Sequence, residues 1–100
     1  MFEPKPVFTT KPVQSQIMPE IIKGMLDSIM DMKRVTKVDY LQTFDISISS
    51  NGKNTYINHS QEEPHFRKQL TLTNVNNTFK GTVFIIDDSK TITVMLAEEY

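Results

Sequence analysis

Val38-Asp39-Tyr40-Leu41-Gln42-Thr43-Phe44-Asp45-Ile46-Ser47-Ile48-Ser49-Ser50-Asn51-Gly52-Lys53-Asn54-Thr55-Tyr56-Ile57-Asn58-His59 is the stretch whose reading decides the fold. Val38, Tyr40, Phe44, Ile46 and Ile48 fall on one set of alternate positions, and Asp39, Thr43, Asp45, Ser47 and Ser49 fall between them. A period of two with one apolar side is the mark of a half-buried strand. Asn51-Gly52 interrupts it, and this dipeptide predicts a type I′ hairpin because both central residues of that turn take positive φ. The register then follows. Ser50 opposes Lys53, Ile48 opposes Thr55, Ile46 opposes Ile57, Phe44 opposes His59 and, further along, Gln42 opposes Gln61.

Upstream, the period is that of a helix. Ile21, Ile22, Met25, Leu26, Ile29 and Met32 recur at spacings of three and four, with Lys23, Asp27 and Asp31 off the stripe. Pro19 suits the first helical position, Glu20 the first turn, and Lys33 and Arg34 the last. Gly24 interrupts this helix, either as a tolerated glycine or as a close approach to a sheet. Val7-Phe8-Thr9-Thr10, stopped by Pro12, predicts a short edge strand. Residues 1–6 hold two prolines and read as a loose lead-in.

Downstream, Phe66 to Thr73 alternates, Asn74 to Thr78 is turn-like, and Phe79 to Ile86 is apolar on both faces near its end, as in a central strand. Asp87-Asp88-Ser89-Lys90 predicts a tight connection to Thr91–Ala97, with Ile92 opposite Ile85 and Val94 opposite Val83. The predicted order is β-α-β-β-β-β-β: one main helix on a mostly antiparallel sheet of five or six strands, a single α+β domain over residues 1–100.

The whole chain fits that size. Its 100 residues are 38% hydrophobic and 23% charged, with a formal net charge of −1. This is a globular balance, and a near-neutral chain lacks the basic excess of a general nucleic-acid binder. The absence of cysteine excludes disulfides, thiolate metal sites and a Cys nucleophile. No apolar run approaches the ~20 residues of a membrane span, and the N-terminal residues show no signal-peptide pattern, so a cytoplasmic protein is expected. A domain this small makes a homo-oligomer a reasonable expectation.

Chemistry has few candidate seats. In His59-Ser60-Gln61-Glu62-Glu63-Pro64-His65, histidine and carboxylate lie at short spacing, which suits a shared proton or a metal. Two histidines fall short of a closed metal site, so no metal and no cofactor is expected. Gln42, His59 and Gln61 share a face with Phe44, and polar groups there need partners or water. That corner is either a satisfied network or the rim of a pocket. Asp87-Asp88 offers paired carboxylates, with an aspartate-capped turn as the plainer reading. Glu98-Glu99-Tyr100 is a solvated tail or a docking segment. Lys33, Arg34 and Lys37 form a basic cluster suited to a helix end or to a nucleic acid. Three scattered glycines exclude a phosphate loop, and no Ser/His/Asp triad is supported.

Four segments, Asp39–Phe44, His59–Pro64, Ile86–Asp88 and Met95–Tyr100, together with the Pro19-Glu20 helix start, resemble domain-of-unknown-function family 960. These are small proteins of Gram-positive bacteria and their mobile elements, and the resemblance runs from about Thr10 to Tyr100. It implies a cytoplasmic α+β domain in an accessory or counter-defence role and carries no activity. Relatives tend to hold an aromatic residue in the helix stripe where this chain has Met25-Leu26-Asp27.

The sequence therefore points to a non-enzymatic protein-binding module, contacting its partner near His59–His65 and the C-terminal segment. The alternatives are a small-molecule or metal-assisted activity at His59, Gln61, Glu62, Asp87 and Asp88, and association with nucleic acid. Residues 61–100 carry four basic and six acidic groups, against seven and six in residues 1–60. If the acidic doublets Glu62-Glu63, Asp87-Asp88 and Glu98-Glu99 meet in space, they form an acidic patch.

Overall fold

In the computed structural model, which describes residues 1–100, six strands form one sheet with two helices on one face. The elements are β1 (Val7–Thr9), α1 (Lys11–Gln16), α2 (Pro19–Met32), β2 (Leu41–Ile48), β3 (Asn54–Gln61), β4 (Phe66–Thr73), β5 (Gly81–Asp87) and β6 (Ile92–Leu96), closed by a 3₁₀ turn at Ala97–Glu99. The sheet order is β1-β6-β5-β2-β3-β4. Every pairing is antiparallel except β1 with β6, so the sheet is mixed.

The β2–β3 register is the one the sequence predicts, with Phe44 opposite His59 and Ile46 opposite Ile57. The turn is not type I′. Gly52 has φ 75°, but Asn51 keeps an ordinary φ, and Ser49 pairs with Asn54 across a four-residue loop. Asn51 Oδ1 holds that loop by accepting from Ser49 Oγ at 2.6 Å and from the Lys53 amide at 3.0 Å. A two-residue and a four-residue turn centred on the same bond give the same register, which is why the pairing survives the change of turn.

The β5–β6 register differs from expectation by two residues: Ile85 opposes Val94 and Val83 opposes Leu96. Asp87 is the last residue of β5, and the loop runs from Asp88 to Thr91. Asp88 Oδ1 accepts from the amides of Lys90 at 3.0 Å and Thr91 at 2.8 Å. A shift of two leaves every side chain on its expected face.

Three local departures have physical causes. A short helix, α1, follows β1, because Thr10 caps it through its hydroxyl and Pro12 occupies its first turn. β2 begins at Leu41 rather than Val38, because Asp39 Oδ1 accepts the Tyr40 amide and glutamine side chains take the other Asp39 backbone groups. Finally, α2 ends at Met32, so Lys33 and Arg34 lie just past its last turn.

Residues 1–6 have no regular structure but are anchored. Phe2 is fully buried in the core, its amide donates to Asp87 Oδ2, and Lys5 Nζ meets both Asp87 carboxylate oxygens at 2.8 and 2.7 Å. The core lies between the helices and the sheet and is built on Ile21, Met25, Ile29 and Met32 of α2 against Phe44, Ile57, Val83 and Ile85. Gly24 sits over Leu72. A methyl placed on it would meet that side chain at 3.7 Å, an ordinary contact.

Candidate functional site

Gln42, His59 and Gln61 form a closed chain of hydrogen bonds beneath α2. Gln61 Nε2 donates to the carbonyls of Lys37 at 2.9 Å and Pro64 at 2.8 Å. Its Oε1 accepts from the Asp39 amide at 2.9 Å and from Gln42 Nε2 at 2.8 Å. Gln42 Nε2 also donates to the Asp39 carbonyl at 2.8 Å, which leaves Gln42 Oε1 to accept from His59 Nε2 at 2.7 Å. His59 Nδ1 then lies 2.7 Å from Ser28 Oγ. Main-chain carbonyls only accept, so they fix both amide orientations. His59 Nε2 carries the proton, and the Ser28 hydroxyl donates to Nδ1.

The imidazole stacks on Phe44, with centroids 4.3 Å apart, and meets the edge of Phe66 at 6.2 Å. Burial, aided by the Lys68 ammonium, lowers the His59 pKa to about 4, so the ring is neutral at physiological pH. A neutral histidine with both nitrogens engaged and no solvent exposure is a joint between α2 and the sheet, not a group presented to a substrate. Ser28, which completes the chain, was not singled out in the sequence. Its signal is a polar residue inside the apolar stripe of α2, over a strand that carries histidine.

The other predicted residues lie apart from this chain. Glu62, Glu63 and His65 are exposed in the β3–β4 turn. Asp87 is buried at the C-terminal end of β5, where its amide donates to the Tyr40 carbonyl at 3.0 Å and its carboxylate joins no member of the glutamine–histidine chain. Burial alone pushes its carboxyl pKa up, but Lys5 and the Phe2 and Ser89 amides outweigh this and hold it below the usual range. Asp88, fully exposed, is held below its usual value by the Thr91 and Lys90 amides. Glu99 accepts from Thr10 Oγ1 and the Leu96 amide, both at 2.8 Å, so the C-terminal segment docks on its own domain. Of the basic cluster, Lys33 Nζ donates to the Phe2 carbonyl at 3.3 Å, while Arg34 and Lys37 are exposed. The acidic doublets do not meet, and no three His, Asp or Glu side chains stand close enough to share a metal ion.

The face of the sheet away from the helices is open. The strand registers place Phe8, Thr93, Ile86 and Leu41 in one row across it, and Met95, Phe84, Thr43, Ser60 and Arg67 in the next. Tyr100 packs edge-on against Phe84 with centroids 5.3 Å apart, and its hydroxyl, near that of Tyr40, raises the Tyr40 pKa. Phe8, Tyr40 and Tyr100 are 57%, 44% and 67% exposed. Beyond Tyr40 a hollow of about 360 Å³ is lined by Leu41, Ser60, Glu62, His65 and Arg67 among others.

A single open-faced sheet backed by helices and a sealed polar chain is the form of an α+β domain whose free surfaces are its sheet face and edges. The chain belongs to the DUF960 family, described as a staphylococcal protein of unknown function, whose model matches residues 7–99. Its fold is also that of a crystal structure of a protein of unknown function from Enterococcus faecalis. The two share 24% sequence identity and superpose with a TM-score of 0.83, over 100% of this chain and 98% of that one. No curated protein matches it. No helix is long and apolar enough to cross a membrane.

Proposed function

We propose that this protein is a non-enzymatic binding module that docks another protein on the helix-free face of its sheet. The observation that carries this reading is the apolar corner formed by Phe8, Tyr40, Ile86, Phe84, Met95 and Tyr100. A clustered apolar surface rimmed by polar groups is what protein interfaces use, and Tyr and Phe are favoured there. The partner it suits presents a matching apolar patch. Such a small module fits an accessory role in the cytoplasm, including one carried on a mobile element.

A photo-crosslinking residue introduced at Phe8 tests this. One stoichiometric protein partner is expected at physiological salt. Phe8→Ser with Tyr100→Ser should abolish its capture without altering the circular dichroism. Failure to recover any stoichiometric partner, or capture indifferent to the double substitution, overturns the reading.

A second reading has its own observation. Arg67 and His65 form no ion pair and line, together with Glu62, the hollow beside Tyr40. A small ligand bearing both an anionic and a cationic group matches that lining. Isothermal titration with free amino acids is the test, and no heat from any of them removes this reading.

A further inference from the structure

The sheet has two edges, and they are built differently. β1 is three residues long, follows Pro6, and has its Thr9 carbonyl taken by Gln14 Nε2 at 2.9 Å. Shortness, proline and charged side chains are how edge strands are blunted. β4 is neither short nor interrupted by proline, and its charges, Arg67 and Lys68, stand together at one end. Phe66–Thr73 is eight residues without proline or glycine, paired to β3 without a break from Gln61–Phe66 to Asn54–Thr73.

The hydrogen-bond phase of β4 is fixed. The Asn74 amide donates to the Lys53 carbonyl directly opposite it, and on β3's other side the Ser49 amide donates to Asn54. Alternation along an antiparallel ladder then turns the backbone groups of Phe66, Lys68, Leu70 and Leu72 toward β3. Those of Arg67, Gln69, Thr71 and Thr73 point outward, unpaired.

We propose that β4 is the edge through which two copies of this chain join into a dimer with one continuous sheet. The four outward-facing residues are spaced symmetrically about Leu70. An antiparallel copy related by a two-fold axis at Leu70 sets Arg67 opposite Thr73 of the second copy and Gln69 opposite its Thr71. Both are hydrogen-bonded pairs, repeated by symmetry, giving about eight new backbone bonds. The charges agree with this register. Arg67 and Lys68 both sit at one end of β4, so in the pair they face Thr73 and Leu72, and no like charges oppose each other. On the helix side, Leu70 meets its own copy and Leu72, half-buried under Gly24, is covered by the Lys68 stem.

Sedimentation equilibrium of the full chain tests this. A concentration-dependent dimer is expected. Thr71→Pro removes an outward amide that β3 does not use, so the fold should persist and the dimer disappear. Thr73→Glu places an anion opposite Arg67 twice over and should tighten the dimer about fivefold, while Thr73→Lys should weaken it about as much. A wild-type chain that stays monomeric at high micromolar concentration overturns the proposal. So does a dimer indifferent to Thr71→Pro, or one that both Thr73 variants shift in the same direction. Phe8→Ser with Tyr100→Ser leaves this dimer unchanged, which keeps its fate separate from that of the sheet-face reading.

Discussion

The Ser28 hydroxyl and His59 Nδ1, 2.7 Å apart, join α2 to β3 through a buried hydrogen bond at the centre of the helix–sheet interface. Ser28→Ala leaves the imidazole nitrogen without a donor inside the core. A buried acceptor left unmade costs about 1–3 kcal/mol. Urea unfolding should show that loss with an unchanged m-value.

His59 also makes stability depend on pH. Its folded pKa is about 4 and its ordinary value 6.5, so the fold prefers the neutral ring. Stability is therefore complete above pH 6.5. It declines as pH falls from there toward 4, because only the unfolded chain takes up the proton over that window. The shift corresponds to about 3 kcal/mol. Unfolding free energies measured between pH 7 and pH 4 should fall accordingly, and His59→Gln should flatten the slope whatever its absolute stability.

Asp87 acts lower on the scale. Its depressed pKa means stability present above the ordinary carboxylate value and lost as pH falls through the folded one. Asp87→Asn removes the charge that Lys5 and the Phe2 amide face. Breaking a buried pair on one side costs about 3–5 kcal/mol. Residues 1–6 should then become susceptible to proteolysis, which reports the lost anchor directly.

Two substitutions should stabilise. Gly24→Ala gains up to about 1 kcal/mol of helix propensity, and its methyl meets Leu72 at an ordinary distance. Thermal unfolding should shift upward.

Thr55 is fully buried, and its Oγ1 has no hydrogen-bond partner. Thr55→Val keeps the shape and removes the orphaned hydroxyl, for a gain of about 1 kcal/mol by denaturant unfolding. A loss instead would show that the hydroxyl is satisfied in solution.

Much of the sheet was legible because its signals are local and periodic. The alternation through Phe44 and Ile46, with a turn signal at Asn51-Gly52, defines the β2–β3 register and so places Gln42, His59 and Gln61 on one face. Long-range facts were not legible. The parallel pairing of β1 with β6 depends on where α1 and α2 carry the chain. The burial of Phe2 depends on Asp87, which lies 85 residues away and reads locally as part of a turn. The two-residue shift between β5 and β6 has the same origin, since Asp87 is held in the strand by Phe2 and Lys5 and the loop must start after it. The helix at Lys11–Gln16 was within reach, because Thr10 and Pro12 are a cap and a first-turn proline.

The hydrogen-bond chain from Lys37 and Pro64 to Ser28 has a sense of direction. Each donor is set by the group before it, and the first members are main-chain carbonyls that cannot turn around. The proton position on His59 is thus dictated by the course of the backbone several groups away. Replacing a single member by one of opposite hydrogen-bonding sense, such as an acid at Gln61, leaves a clash that no neighbour can relieve by rotating. Ser28, Gln42, His59 and Gln61 are therefore coupled, and the cost of a change at one depends on what stands at the others.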